Sequence, residues 1–159
     1  KELRNEATFV IIFPNYSEQV VFAEPGEKVE IKGDATHLKE MTIKGTELNE
    51  DLTKLRQRIN GLTPPEIPPV FVEYIKEHPK SLVSKYLLDK YFILSSQPDY
   101  QEAYRLVTLM LKEDPDNGKL RKQKQQLEGL VNTQLQKTLP DFSVTDTKGT
   151  KITKAQLNG

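Results

Sequence analysis

Thr63-Pro64-Pro65-Glu66-Ile67-Pro68-Pro69 is the stretch at which the chain changes character. Four prolines in seven residues remove four amide donors and fix four φ angles, so the segment reads as an extended, semi-rigid connector. Before it, short apolar runs alternate with polar residues; after it, apolar residues recur at three and four. The division predicts an α+β chain in four parts. Residues 1–62 form a small antiparallel β-sheet of about four strands with a closing helix, and 63–69 the connector. A helical region follows over 70–138, and a separate unit begins at 139 and runs to 159.

Working upstream, Phe9-Val10-Ile11-Ile12-Phe13 is β-branched and aromatic. Val20 and Phe22, Val29 and Ile31, and Met41 and Ile43 alternate with their neighbours as half-buried strands do. Pro14-Asn15, Pro25-Gly26 and Gly33-Asp34 lie between these runs as turn signals, giving strands in hairpin or meander order. Such a sheet has one apolar face, and the downstream helices are its obvious cover. Thr46 is placed to cap a helix whose Leu48, Leu52, Leu55 and Ile59 form one stripe, ended by Asn60-Gly61.

Working downstream, Val70 to Glu77 reads as a helix that stops before Pro79, and Pro79 is suited to open the next one. That next helix, Lys80 to about Leu94, presents Val83, Tyr86, Leu87, Tyr91 and Leu94 as its apolar face. Asp99 and Glu102 resemble a capping box before Tyr100, Ala103, Tyr104, Val107, Met110 and Leu111. The short link from Ser95 to Pro98 favours an antiparallel pair with Leu87 and Tyr104 in its packing. Asp114-Pro115-Asp116 then starts a final, highly charged helix with a narrow stripe of Leu120, Leu127, Val131 and Leu135.

Composition excludes several function classes. Lys and Arg number 23 and Asp and Glu 23, so no net field draws in a polyanion, and nucleic acid is not an expected partner. The apolar run at Phe9 to Phe13 is far short of the roughly 20 residues of a membrane span. No cysteine is present, which removes thiolate catalysis, disulfides and cysteine-based metal sites from these 159 residues. The chain opens on Lys1 and closes on Leu157-Asn158-Gly159, and both ends are expected to be cuts in a longer protein.

No catalytic, cofactor-binding or metal-ligating residue is assigned. His37 lies in a polar turn and His78 at a helix boundary, neither with a second ligand at motif spacing. Glu47, Glu50 and Asp51 fall in the first turns of a helix, where negative charge offsets the macrodipole. No glycine-rich phosphate loop exists. Tyr74, Tyr86, Tyr91, Tyr100 and Tyr104 cluster in the helical part; core packing is their default, with a binding surface the alternative for at least one. Glu77-His78-Pro79 and Glu113-Asp114-Pro115 lie thirty-six residues apart, near the period of tetratricopeptide-like helix pairs, but that repeat's Trp is missing. Proline as an ordinary helix starter accounts for the spacing.

Two resemblances cover most of the chain in order. Pro140-Asp141-Phe142, the turn from Asp146 to Gly149 and Leu157-Asn158-Gly159 resemble the opening of the TlpA/ResA-type thioredoxin-like thiol:disulfide oxidoreductases. Gly26 to Asp34, Ile43 to Asn49 and Tyr74 to Ser84 are similar to the domain of unknown function that precedes such modules in envelope proteins of anaerobic Gram-negative bacteria. The resemblance implies a truncated thioredoxin-like β-hairpin at the end and a periplasmic or outer-envelope location, with lipid anchoring compatible upstream of Lys1. It implies no cofactor. The function it implies is a non-catalytic accessory region that positions, dimerises or selects partners for a redox module, its partner a protein or a second copy. The rival expectation is a free-standing helical-repeat adaptor with a Tyr-lined groove for a peptide.

Overall fold

The computed structural model describes residues 7–16, 18–34, 37, 41–135, 143–145 and 151–153. The fold is α+β. Strands β1 (Ala7–Ile12) and β2 (Glu18–Ala23) pair antiparallel with Val10 opposite Val20 and Thr8 opposite Phe22. Strands β3 (Glu30–Lys32) and β4 (Thr42–Lys44) pair with Ile31 opposite Ile43. These are two separate ribbons, so the expected meander is divided between β2 and β3.

Helix α1 (Glu47–Ile59) supplies the reason. Its Asn49 carboxamide accepts from the Phe22 amide at 2.8 Å and donates to the Phe22 carbonyl at 2.6 Å. A side chain thereby occupies the ladder positions that another strand would use, satisfying backbone groups that burial would otherwise leave costly. Thr46, the N-cap, accepts from both the Asn49 amide and its Nδ2, which locks the rotamer. Gly45 sets up the cap: its φ is +106°, and a Cβ there would fall 1.9 Å from the Lys28 carbonyl oxygen.

The proline-rich segment is not extended. Pro64–Glu66 is a 3-10 turn, with the Thr63 amide and hydroxyl both donating to Glu66 Oε2. Helix α2 (Ile67–Glu77) follows immediately, with Pro68 and Pro69 inside its first turn. The first four amides of a helix have no intrahelical acceptor, so prolines there forfeit nothing. Nor does the segment separate two cores. Val20, Phe22, Leu52 and Leu55 from before it share one buried cluster with Phe71, Ile75, Leu87 and Leu106 from after it.

Pro79 lies in a turn and opens no helix; Ser81 caps α3 (Leu82–Leu87) by accepting from the Val83 amide at 3.1 Å. The expected single α-helix to Leu94 gives way to a π-helical turn over Leu88–Ile93. The wider turn moves the buried positions from the α period to a five-residue step: Val83 and Leu88, then Leu87 and Phe92, are 3% exposed or less. Leu94, expected on the apolar face, is 77% exposed, and Tyr91 turns outward at 37%.

Asp99 accepts from the Glu102 amide to start α4 (Tyr100–Glu113), and Asn117 accepts from the Leu120 amide to start α5 (Gly118–Leu135). Helix α4 packs against α2, the π-helical turn and α5. Leu120 and Leu127 are buried and Val131 half-buried; the Leu135 side chain lies outside the description. Strands β5 (Ser143–Thr145) and β6 (Lys151–Thr153) form an antiparallel hairpin with Val144 opposite Ile152. Pro140-Asp141-Phe142, the Asp146 to Gly149 turn and Leu157-Asn158-Gly159 lie outside the described residues.

Two substitution pairs follow. Phe92→Ala is expected to cost about 3–5 kcal/mol in chemical denaturation while Leu94→Ala stays within about 0.5 kcal/mol; the reverse order would mean a continuous α-helix. Asn49→Ala should cost about 1–3 kcal/mol for each Phe22 group left unpaired. Asn49→Asp should be no better, because it turns a charged oxygen toward the Phe22 carbonyl. An Asn49→Ala midpoint equal to that of the exposed-site variant Gln57→Ala would show that the edge needs no partner.

Candidate functional site

Where the β2 edge meets the end of α1 and the outward face of the π-helical turn, the surface opens into a cleft of about 500 Å³. A cleft of this size is in the range that takes a small ligand or a few residues of peptide. Its lining includes the apolar Ile59, Leu62 and Ile67 and the polar Glu18, Gln19, Arg56 and Lys90. Tyr86 and Tyr91 line it as well.

Each side chain is held from behind. Gln19 is 1% exposed; its Nε2 donates to the Val20 carbonyl at 2.7 Å and its Oε1 accepts from Arg56 Nη1 at 2.7 Å. The Tyr86 ring meets Phe22 edge to face at 6.2 Å, and the Tyr91 ring lies tilted on Phe71 at 4.4 Å. Lys90 Nζ stands 5.5 Å from the Tyr86 ring centroid, within cation–π range. The outward turn of Tyr91 therefore has a physical origin: the π-helical step buries Leu88 and Phe92 and leaves Tyr91 at the rim.

The electrostatics are uneven. Burial holds the Arg56 guanidinium below its ordinary pKa, while Tyr86 and Tyr91 pull the other way. Burial also opposes the charge on Lys90, but its interactions with Tyr86, Tyr91 and Glu18 outweigh this and leave its pKa raised. Burial and the proximity of Tyr86 raise the Tyr91 hydroxyl, against the pull of Lys90 and Arg56. None of the ion pairs among the described residues uses Arg56 or Lys90.

The five tyrosines separate. Tyr86 and Tyr91 meet in the cleft; Tyr100 and Tyr104 are half-buried against the core, Tyr104 beneath Lys124 at 5.5 Å. Tyr74 is buried, donates to Asp51 Oδ2 at 3.1 Å and lies over His78 with ring centroids 4.5 Å apart. Glu47 and Glu50 sit in the first turn of α1. His37 is exposed and lies 3.9 Å from Asp34. Among the described residues no group of three or more His, Cys, Asp or Glu is arranged to hold a metal ion, and no helix is long and apolar enough to cross a membrane.

Sequence reasoning named Tyr86 and Tyr91 but missed Gln19, Arg56 and Lys90. Lys90 four residues after Tyr86 was a faint signal. Arg56 and Gln19 lie 37 residues apart, and only the packing of α1 on β2 joins them. No protein-family model, curated protein or solved structure matches this chain.

Tyr74 gives a pH prediction. Burial chiefly, with the Asp51 carboxylate adding and a Ser81 hydrogen bond opposing, pushes its hydroxyl up to about 12. An unfolded tyrosine titrates near about 10, so the neutral phenol's contribution is complete below that pH and is lost as pH rises from about 10 to about 12. The slope from this group is at most about 1.4 kcal/mol per pH unit. Tyr74→Phe should lose stability at neutral pH with the Asp51 bond, yet decline less steeply above pH 10. Equal alkaline slopes in the two proteins would rule the linkage out.

Proposed function

We propose that this chain is the non-catalytic accessory region of a thioredoxin-like thiol:disulfide oxidoreductase of the bacterial envelope, and that it selects the redox partner through the cleft at Tyr86 and Tyr91. The observation that carries the reading is the order of two units on one chain. A cysteine-free α+β body with a Tyr-lined cleft comes first, and an antiparallel hairpin with Val144 opposite Ile152 follows. The hairpin falls within the segment whose flanking motifs resemble the start of a thioredoxin-like domain. Its chemistry would come from a cysteine pair beyond Gly159, the accessory region contributing orientation and affinity.

A second reading, the helical-repeat adaptor, is favoured by a specific geometry. Helices α2 and α3 form one packed pair, α4 and α5 another, and α2 also packs on α4. The C-cap amides of His78 and Asp114 donate to the carbonyls of Tyr74 and Met110, so the two turns correspond at a 36-residue offset. Both readings place the partner in the same cleft.

The full-length protein separates them. With a Cys-x-x-Cys pair present beyond Gly159, removal of the first 138 residues should leave reduction of a small disulfide such as oxidised glutathione unchanged. Exchange with the native protein partner should slow by about tenfold or more, because the tethered contact is lost. A continuation without the cysteine pair, or a deletion that leaves partner exchange untouched, would overturn the first reading.

A further inference from the structure

The cleft carries two cations, Arg56 and Lys90, that none of the ion pairs among the described residues uses, although Glu18 acts on Lys90 from the lining of the same cleft. Arg56 is half-buried and spends one donor on the neutral Gln19 amide, and Lys90 lies over the Tyr86 ring. A guanidinium offers five N–H donors in a planar fork suited to a carboxylate, and the partners of Arg56 here, Gln19 and Tyr86, are neutral. The chain's net charge is zero, so the excess of positive charge here is local and not a share of a global field. A partly desolvated arginine without a counter-ion is unfavourable in the free protein, and an incoming anion offsets that cost.

We propose that the cleft binds a peptide carboxylate adjoining an apolar residue. The carboxylate takes the Arg56 and Lys90 end, and the apolar neighbour packs on Ile59, Leu62 and Ile67. This rests on the reading of the cleft as a partner-binding groove and names the chemistry of what enters it.

Charge and surface together decide the class. Glu18 lines the same cleft and acts on Lys90, so Arg56, Lys90 and Glu18 sum to one positive charge. One carboxylate balances it, whereas a phosphate dianion would leave the site negative. The apolar Ile59, Leu62 and Ile67 line the same cleft as the cations, which suits a ligand whose charge and apolar group are neighbours on one backbone. The Tyr86 and Tyr91 rings, fixed by Phe22 and Phe71, supply flat contact surface with little entropy left to lose. A carboxylate of this kind comes either from an acidic side chain within a segment or from a free C-terminus.

Three peptides test the proposal in titrations of the 159-residue chain followed by amide chemical shifts. Acetyl-Leu-Glu-Leu-amide carries a side-chain carboxylate, acetyl-Leu-Gln-Leu with a free C-terminus carries a terminal one, and acetyl-Leu-Gln-Leu-amide carries neither. At least one charged peptide should bind about tenfold tighter than the neutral peptide, with shifts at Gln19, Tyr86 and Tyr91. The tighter of the two charged arms identifies the source. Lys90→Gln should abolish the preference with the melting temperature retained; Arg56→Gln should do the same, and Arg56→Lys should restore part of it. Lys54→Gln, at an exposed residue paired with Asp51, should leave it intact. Equal binding of all three peptides at the cleft overturns the carboxylate assignment and keeps the groove, as does a preference that survives Lys90→Gln. Absence of any shift at the cleft with all three overturns both.

Discussion

The Asn49 carboxamide on the Phe22 backbone is the contact on which the arrangement of the remaining elements depends. It is a buried two-point hydrogen bond between a helix and a strand, and both partners are 1% exposed or less. In the interior such groups must be paired or the fold loses several kcal/mol, so the contact fixes where α1 crosses β2 to within a fraction of a residue. Once α1 is placed, Leu52 and Leu55 meet the core, Arg56 reaches Gln19 three residues from Phe22 along β2, and the cleft has its polar residues. The same contact removes β2 from competition for β3, which is why β3 and β4 stand as their own ribbon.

A second constraint comes from the π-helical turn. A π step costs good α-helical geometry and is retained where side chains gain by it. Here it lets Leu87 and Phe92 enter the core together, five residues apart, positions that a regular α-helix would place on different faces. The residues displaced to the surface are Lys90 and Tyr91, and they form one side of the cleft. Core packing and the shape of the surface hollow are therefore two consequences of one backbone irregularity.

The cleft in turn collects polar groups with no motif relation to each other. Gln19 is buried to anchor Arg56, and Arg56 and Lys90 share the neighbourhood of Tyr86. Both aromatic rings are braced by core phenylalanines, so the binding surface is backed by the hydrophobic core and inherits its rigidity.

By itself the sequence determined most of the strands and α-helices and two of their caps, because these depend on residues within a few positions of one another. Thr46 and Asp99 cap helices through bonds to amides three residues on. The lack of cysteine settled which chemistry these 159 residues cannot perform. The α+β division was legible for the same local reason, a change of hydrophobic period. Tertiary structure alone decided what local pattern could not. The most apolar strand, β1, leaves Phe9, Val10 and Ile12 46% to 65% exposed, while β2, which starts with Glu18 and Gln19, is the buried one. Burial there follows from which strand α1 docks against. The proline-rich stretch became a helix start because α2 needed to begin beside α1 to cover the shared core, and prolines are harmless in a first turn. The cleft brings Gln19, Arg56 and Lys90 together across 71 residues of chain by packing, a relation that no spacing rule encodes.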